Sequence, residues 1–548
     1  MTEFPWLVIP ARGGSREVPR KNLRIVAGKP LISYTVNTAL ESTLSERVLV
    51  ITDDDEIAEV ARHFGAGVLR EATMATGSAT LDEVLLRHLP DLQRLGAEDG
   101  DIVFVMQPTC PLLKAERVQQ AVGALQQGFN SVITVKPDPH LSWSLASDGT
   151  PKPNFAARLN RQQLPPEYRE SGAIIGSRIG LTKQHQTRIV QPIKLLELDP
   201  AEALDIDNFA ELAAAEQGLT RIRVIIRAEA GPLLGMGHVY RALALAQELA
   251  RHDVTLVTSA QFPLGAEFFA QYPFRHLQIA DEYDLLQELR THPAELVVLD
   301  LLDTSAGQIS DLREAGAKRI VTFEDQGLGA ASADLLVSDL YRNTAIAEAK
   351  QMSGMSSAIL APSFETLPRR APSNEKVKSI LVLFGGTDPS NLAEKSLEAL
   401  EALGYAEEVV LVRGLGAQPI DITRFQLNIR SLTNVKNMPE LMAQADLALS
   451  SAGRTLTELA CIGVPVICMA QNQKELAHTH ANEANGVEML GLGHSVSVSE
   501  LAKKIELLVQ NPSRRFELQQ NARHSCSGRS NRQIVGEILK RVGLELAR

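Results

Sequence analysis

Short apolar runs alternate along the chain with stretches in which apolar positions recur every three or four residues. LVIP (7–10), RVLVIT (47–52), DIVFVMQP (101–108) and SVITV (131–135) have strand character. Between them DDEIAEVARHFG (54–65), TLDEVLLRHLPDLQRLG (80–96) and RVQQAVGALQQG (117–128) have helical spacing. Such alternation predicts a mostly parallel sheet with helices on both faces.

The pattern breaks near residues 213–221 and restarts with the strand RIRVIIRAE and a glycine turn, GPLLGMGHVYRALALAQELA (231–250). It continues through VTLVTS, ELVVLDLL and RIVTFED to a polar, proline-containing linker, TLPRRAPSNEKVKS (366–379). A third series follows: ILVLFGGTD, EVVLVRG, ADLALSSAG and VPVICMA, then about forty helical residues. The expected organisation is one α/β domain over 1–219 and a two-part α/β unit over 221–548. The parts of that unit are placed at about 221–366 and 378–520, with C-terminal helices to 548. Ligands of such sheets bind beyond the carboxyl ends of the strands, so the loops after strands matter most.

Composition narrows the ligand class. The 548 residues are 44% hydrophobic but only 4% aromatic, and the net charge is −11. Few aromatics and an acidic balance argue against nucleic-acid binding. Local basic clusters then point to small anionic ligands. Cys110, Cys461, Cys468 and Cys526 match no zinc or disulfide spacing and read as reduced thiols. No long apolar segment suggests a leader or a membrane span, and a cytoplasmic location is expected.

IPARGGSREVPRKNL (9–23) concentrates the basic residues: Arg12, Arg16, Arg20 and Lys21 follow a strand, with Gly13 and Gly14 among them. Glycines let the backbone come close, and N–H groups and cations together suit a phosphate. The alternative is a solvated basic loop. LDIDN (204–208) puts Asp205 and Asp207 at i and i+2, on one face of an extended segment. Two close carboxylates suit a hard cation such as Mg²⁺, although an isolated D-x-D is also common in turns and caps.

These segments, with ITDDDEIAEVA, MQPTCPLL and RQQLPPEY, occur in the order found in acylneuraminate cytidylyltransferases, the CMP-sialic acid synthetases, and the resemblance covers about 5–215. It implies a Rossmann-like nucleotidyltransferase domain that couples CTP to a nine-carbon 2-keto sugar acid with release of pyrophosphate. It also implies a homodimer formed through this domain. Arg12, Gly13, Gly14, Ser15, Arg16, Lys21 and Asn22 would cradle CTP, with Lys21 counted as catalytic. Asp205 and Asp207 would hold Mg²⁺. Gln107 would face the sugar acid, and Arg161 its carboxylate or tail. Glu17, Leu113 and Ser171 stand where the family usually has glycine, arginine and asparagine.

In the second half, GMGHVYR places His238 near a helix N-terminus, where the macrodipole disfavours imidazolium and a neutral imidazole can act as a base. LFGGTDPSN (383–391) is a small-residue loop suited to a diphosphate, and SSAGRTLTELACIGVPVICMA (450–470) carries Glu458 on a helix, placed to accept ribose hydroxyls. The plainer readings are a packing histidine and an exposed glutamate. Together these motifs, with the NQ of AQNQKE, resemble the UDP-sugar hydrolases of pseudaminic acid biosynthesis, over about 221–500. That implies a two-lobed GT-B-like fold and metal-independent hydrolysis of a UDP-2,4-diacetamido-2,4,6-trideoxyhexose. His238 would be the base, Gly386, Thr387 and Glu458 would contact UDP, and Gln473 the sugar. VVLDLLDTS (297–305) departs from the hydrolase pattern, which leaves the roles of Asp300 and Asp303 open. The whole chain then reads as a bifunctional enzyme with small-molecule partners only. The alternatives for the second half are a glycosyltransferase and a non-catalytic nucleotide-sugar-binding module.

Overall fold

A computed structural model describes residues 4–544 except 15–16, 72–79, 232–233, 367–375, 415, 434 and 436. It contains two compact units, one ending at Arg221 and the other starting at Ile222.

The sheet of the first unit contains β1 (Trp6–Pro10), β2 (Val48–Thr52), β3 (Gly67–Arg70), β4 (Ile102–Val105), β5 (Ser131–Pro137), β6 (Tyr168–Arg178) and β7 (Ile193–Glu197). Their order is β7-β5-β6-β4-β1-β2-β3. All pairs are parallel except those of β6, which runs antiparallel to β4 and β5. Every residue of β1 is buried, because helices cover both faces. On one face lie α1 (Leu31–Ser42), α2 (Asp55–His63) and α4 (Ala115–Gln126); on the other lies α3 (Leu81–Arg94). Each fully buried Val, Leu or Ile contributes roughly 1.5–3 kcal/mol. The starts of α2 and α3 are fixed locally: Asp54 accepts the N–H groups of Glu56 and Ile57, and Thr80 and Glu83 form a capping box.

Asn208 and Glu211 form a second box that opens α5 (Phe209–Leu219). The break expected over 213–221 is therefore mostly helix, and only the residues just after Leu219 join the units. Alanine-rich AAEQGL has no strong apolar stripe, which is why it read as a linker.

The second unit holds two sheets, parallel throughout. The first comprises β8 (Arg223–Ala228), β9 (Asp253–Ser259), β10 (Arg275–Ile279), β11 (Leu296–Asp300), β12 (Ile320–Phe323), β13 (Leu335–Ser338) and β14 (Gln351–Ser353), in the order β10-β9-β8-β11-β12-β13-β14. The second comprises β15 (Ser379–Leu383), β16 (Glu408–Arg413), β17 (Asn428–Thr433), β18 (Leu447–Ser450), β19 (Val466–Ala470) and β20 (Val487–Leu492), in the order β17-β16-β15-β18-β19-β20. Two helices matter for function: α6 (Gly237–Glu248) after β8 and α7 (Thr455–Ile462) after β18. The final helix, α8 (Asn531–Arg541), does not extend the second lobe. Its Ile534, Val535, Ile538 and Leu539 join the core of the first lobe beside α6. Arg541 Nη1 donates to Gln351 O at 2.8 Å, and Arg319 Nε donates to Val542 O at 2.6 Å. The class is α/β throughout: a Rossmann-like unit followed by a two-lobed, GT-B-like unit.

Candidate functional sites

In the first unit the loops after β1, β2 and β4 converge on the segment before α5. The Gly13 N–H donates to Asp53 Oδ1 at 2.9 Å. A Cβ on Gly13 would lie 2.5 Å from Asp54 Oδ2, whereas Gly14 has open space around it. Asn22 is buried, and its Nδ2 donates to Arg12 O at 3.0 Å, so its side chain braces the turn from behind. Lys21 Nζ donates to Ile206 O and lies 3.4 Å from Asp207 Oδ1. The Ile206 N–H in turn donates to Thr109 O at 2.9 Å, which draws the 106–113 loop to the same place. Asp207 is mostly exposed. Among the described residues Asp205 Oδ1 is buried without a hydrogen bond of good geometry, and so is the hydroxyl of Thr109, which lies near enough to favour the Asp205 carboxylate. Burial pushes the Asp205 carboxyl up; Thr109 and Lys21 counter this in part, and Asp207 adds to it.

Beside these loops, a Cβ on Gly172 would lie 2.5 Å from Gln107 Nε2. Ser171 is buried, its hydroxyl 2.9 Å from Thr134 Oγ1 and its carbonyl accepting from Cys110 Sγ at 3.0 Å. Burial pushes the Cys110 thiol up, so it is an inert packing group.

In the second unit, β8 leads into a tight turn closed by Gly235 N–H to Gly231 O at 2.7 Å, with Gly235 at φ 73. His238 follows as the second residue of α6. Its Nδ1 lies 2.6 Å from Asp300 Oδ1, at the end of β11. The Asp300 side chain is fully buried, and Arg241 donates to both its oxygens, Nε to Oδ2 at 2.6 Å. Burial alone would raise this carboxyl, but Arg241 and His238 outweigh it and hold it down at about 2. An ionised partner at Nδ1 takes that nitrogen's proton as a hydrogen bond and leaves Nε2 as the lone-pair nitrogen. A cavity of about 410 Å³ opens beyond β8–β11, lined by His238, Asp300, Asp303, Gln261, Phe262 and Gln308.

The second lobe faces His238 through the start of α7. A Cβ on Gly237 would lie 3.3 Å from Arg454 Cδ. Glu458, one turn into α7, is partly buried; burial pushes its carboxyl up to about 7, with Arg454 lowering and Asp339 raising it. In the loop after β15, Gly386 is exposed and its carbonyl accepts the Gly416 N–H at 3.0 Å. A Cβ on Gly414 would lie 2.3 Å from Gly386 O. Buried Asp388 accepts the N–H groups of Leu392 and Ala393, each at 2.9 Å, and Gln471 Nε2 at 2.7 Å. Gly386 and Thr387 are thus displayed on a braced loop.

The cytidylyltransferase family matches residues 6–224. The CMP-N,N'-diacetyllegionaminic acid synthase of Legionella pneumophila is 34% identical over 218 residues, 38% of this chain and 94% of that one. The chain belongs to the cytidylyltransferase family. The glycosyltransferase family 28 C-terminal domain matches residues 380–535 of the same cytidylyltransferase. The Bacillus subtilis spore coat polysaccharide biosynthesis protein SpsG is 25% identical over 331 residues, 56% of this chain and 95% of that one. A Helicobacter pylori protein named pseudaminic acid cytidylyltransferase and UDP-2,4-diacetamido-2,4,6-trideoxy-beta-L-altropyranose hydrolase is 24% identical over 522 residues, 91% of this chain and 94% of that one. This protein is a cytidylyltransferase fused to a family 28-like unit.

Not every candidate of the cytidylyltransferase falls where the motifs suggest. Ser15 and Arg16 lie outside the described residues. Arg20 pairs with Asp54 at 2.6 Å and with Glu56. Arg161 is exposed, and no described contact joins it to Lys21, Gln107 or the aspartates. Gln473 is exposed at the start of a short helix, and the neighbouring Gln471 is the one that braces the loop after β15. Asp53 and Arg241 were missed. Arg241 lies three residues after His238, hence on the same helix face, and that spacing was a readable signal. The tie of Asp53 to Gly13 had none. Among the described residues no group of three or more His, Cys, Asp or Glu is arranged for a metal ion. The Asp205–Asp207 pair nonetheless offers the hard oxygen donors that suit Mg²⁺, and Asp205 Oδ1 has no well-formed hydrogen bond among the described residues. No helix among the described residues is long and apolar enough to cross a membrane.

Proposed function

We propose that the chain carries two activities in nonulosonic acid biosynthesis: transfer of CMP from CTP to a nine-carbon 2-keto sugar acid, and hydrolysis of a UDP-diacetamido-trideoxyhexose. The observation that carries the first is the buried Asp205 Oδ1, without a well-formed hydrogen bond among the described residues, beside the Lys21–Asp207 pair. The one that carries the second is His238 at the cavity wall, with Asp300 at its Nδ1. The Helicobacter pylori relative, named for both reactions, spans most of the chain and supports placing them together.

In the first reaction the sugar-acid hydroxyl gives up its proton to solvent as its oxygen bonds to the α-phosphorus, the bridging P–O bond breaks, and pyrophosphate leaves. Phosphoryl chemistry of this kind needs positioning and neutral charge more than covalent help. Arg12 and Lys21 supply cations at the glycine loop, and Gln107 orients the acceptor. Asp205 and Asp207 would hold Mg²⁺, which when bound supplies charge to the triphosphate and acidifies the incoming hydroxyl.

In the second reaction His238 Nε2 takes a proton from water as the water oxygen bonds to the anomeric carbon. The C–O bond to the diphosphate breaks, and UDP leaves with its electron pair. Asp300 stabilises the imidazolium that results. Glu458 accepts ribose hydroxyls, and the Gly386–Thr387 loop receives the diphosphate.

The test is pyrophosphate release by the full chain with CTP and a panel of nonulosonic acids, alongside hexose release from the UDP-sugar. No pyrophosphate with any acid defeats the first part. UDP binding without hexose release defeats the second. A homodimer through the first unit belongs to the same reading, since that unit exposes Trp143, Leu145 and Tyr168. Sedimentation of the full chain should show dimers that Trp143→Ser weakens. A cytoplasmic location also belongs to it, consistent with four free cysteines.

A further inference from the structure

We propose that Asp339 is a positioning residue that makes the alignment of His238 depend on docking of the second lobe. The inference rests on the hydrolase reading of the His238 site.

A continuous line of polar contacts links the two. His238 Nδ1 meets Asp300 Oδ1 at 2.6 Å. Asp300 Oδ2 accepts Arg241 Nε at 2.6 Å. Arg241 Nη1 lies 3.6 Å from Asp339 Oδ1 and donates to Glu324 Oε1 at 3.3 Å. Asp339 then crosses to the second lobe: Thr457 Oγ1 donates to its Oδ2 at 3.2 Å, and Arg454 Nη1 lies 3.7 Å from its Oδ1. Thr457 precedes Glu458, the residue assigned to the ribose. Arg241, Asp300, Glu324 and Asp339 all have side chains no more than 2% exposed. Buried charges of this kind demand partners, so each end feels the loss of the other.

The charges explain the direction of the effect. Burial and Asp339 push the Glu324 carboxyl up towards its neutral form, while Arg454 and Arg241 hold Asp339 down. With the second lobe docked, two arginines therefore balance two carboxylates. Without Arg454 and Thr457, Arg241 alone must serve both Asp300 and Asp339. Its hold on Asp300, and with it the seat of the imidazole, then loosens. Nucleotide bound at α7 favours the docked lobe, so nucleotide occupancy should reach the base along this line.

The experiment uses the full chain with its 12 histidines labelled at Cε1, and reads the His238 signal by NMR; His238→Asn identifies that signal by its disappearance. Saturating UDP is expected to shift it in the wild type. In Asp339→Asn the shift should fall by at least half while the UDP dissociation constant stays within about threefold, and kcat for hexose release should fall about tenfold at similar KM. Thr457→Val removes only the hydroxyl donor and keeps the shape, so it decides the matter if Asp339→Asn does not fold. An equal shift in wild type and variants, or no response of His238 to UDP in the wild type, overturns the proposal. A UDP-driven shift that the variants lose, with no hexose released by any protein, leaves the coupling standing and removes the hydrolase reading.

Discussion

Gly172 has no room for a side chain, because a Cβ there would sit 2.5 Å from Nε2 of Gln107. The residue is also at φ 71, a conformation that costs an L-residue roughly 1–2 kcal/mol. Gly172→Ala should therefore displace the Gln107 amide. If Gln107 orients the sugar acid, KM for the acid should rise about tenfold or more while KM for CTP holds. Steady-state kinetics in each substrate check this, and a matching rise for CTP would place Gln107 elsewhere.

Asp205 yields a prediction on stability as well as on rate. Its carboxyl is raised in the fold by burial, so the stabilisation linked to its protonated form is lost as pH rises through the folded value. At neutral pH without Mg²⁺ the buried charge is a burden. Asp205→Asn should raise the thermal midpoint of the metal-free protein, most clearly at neutral rather than acid pH, and should abolish CMP transfer. In the wild type, the Mg²⁺ needed for half-maximal rate should climb as pH falls, since protons compete for the same oxygen. Calorimetry with and without chelator, followed by metal titrations at several pH values, gives both readings.

Asp207→Ala should cost orders of magnitude in pyrophosphate release and leave hexose release unchanged. Asp207 is mostly exposed and its one ion pair among the described residues is to Lys21, so folding should survive. Equal loss of both activities in folded protein would show that the two sites act on each other.

Much of the fold was legible in the sequence, because a buried parallel strand must be apolar along its whole length, as WLVIP and LVVLD are. Contacts between distant segments were not. The antiparallel β6, YRESGAIIGSR, has only a short apolar centre between polar residues and glycines, so neither the strand nor its direction stood out in the sequence. The apolar stripe of α8 says that it is buried but not against which lobe. In the sites, the glycine loop and the D-x-D were visible as local patterns. The loss of Arg20 to Asp54 and Glu56 was not, since 34 and 36 residues separate them. The 62 residues between His238 and Asp300 hid that pair in the same way.

His238→Asn should suppress hexose release by about 10²–10⁴-fold, the usual worth of a general base. UDP affinity should change little, since the nucleotide contacts assigned here lie on the second lobe. Parallel turnover and UDP titrations separate the two. Asp300 is not a substitute base, because its side chain has no exposed surface and Arg241 holds both its oxygens.

Glu458 should make UDP binding depend on pH. Its carboxyl is pushed up to about 7, and only the ionised form accepts both ribose hydroxyls. The UDP dissociation constant should rise as pH falls through about 7. Glu458→Gln should bind more weakly at pH above that value and lose the dependence. Calorimetric titrations across neutral pH test this, and a flat wild-type profile would take Glu458 out of the nucleotide site.

The return of α8 to the first lobe has a mechanical consequence. The chain enters the second unit at β8 and leaves it at α8, and both pack into one core. The second lobe is thus spliced into the first like a loop on a closed ring. Tension applied between the two ends of the unit would be borne by the first lobe, with the second hanging outside the line of force.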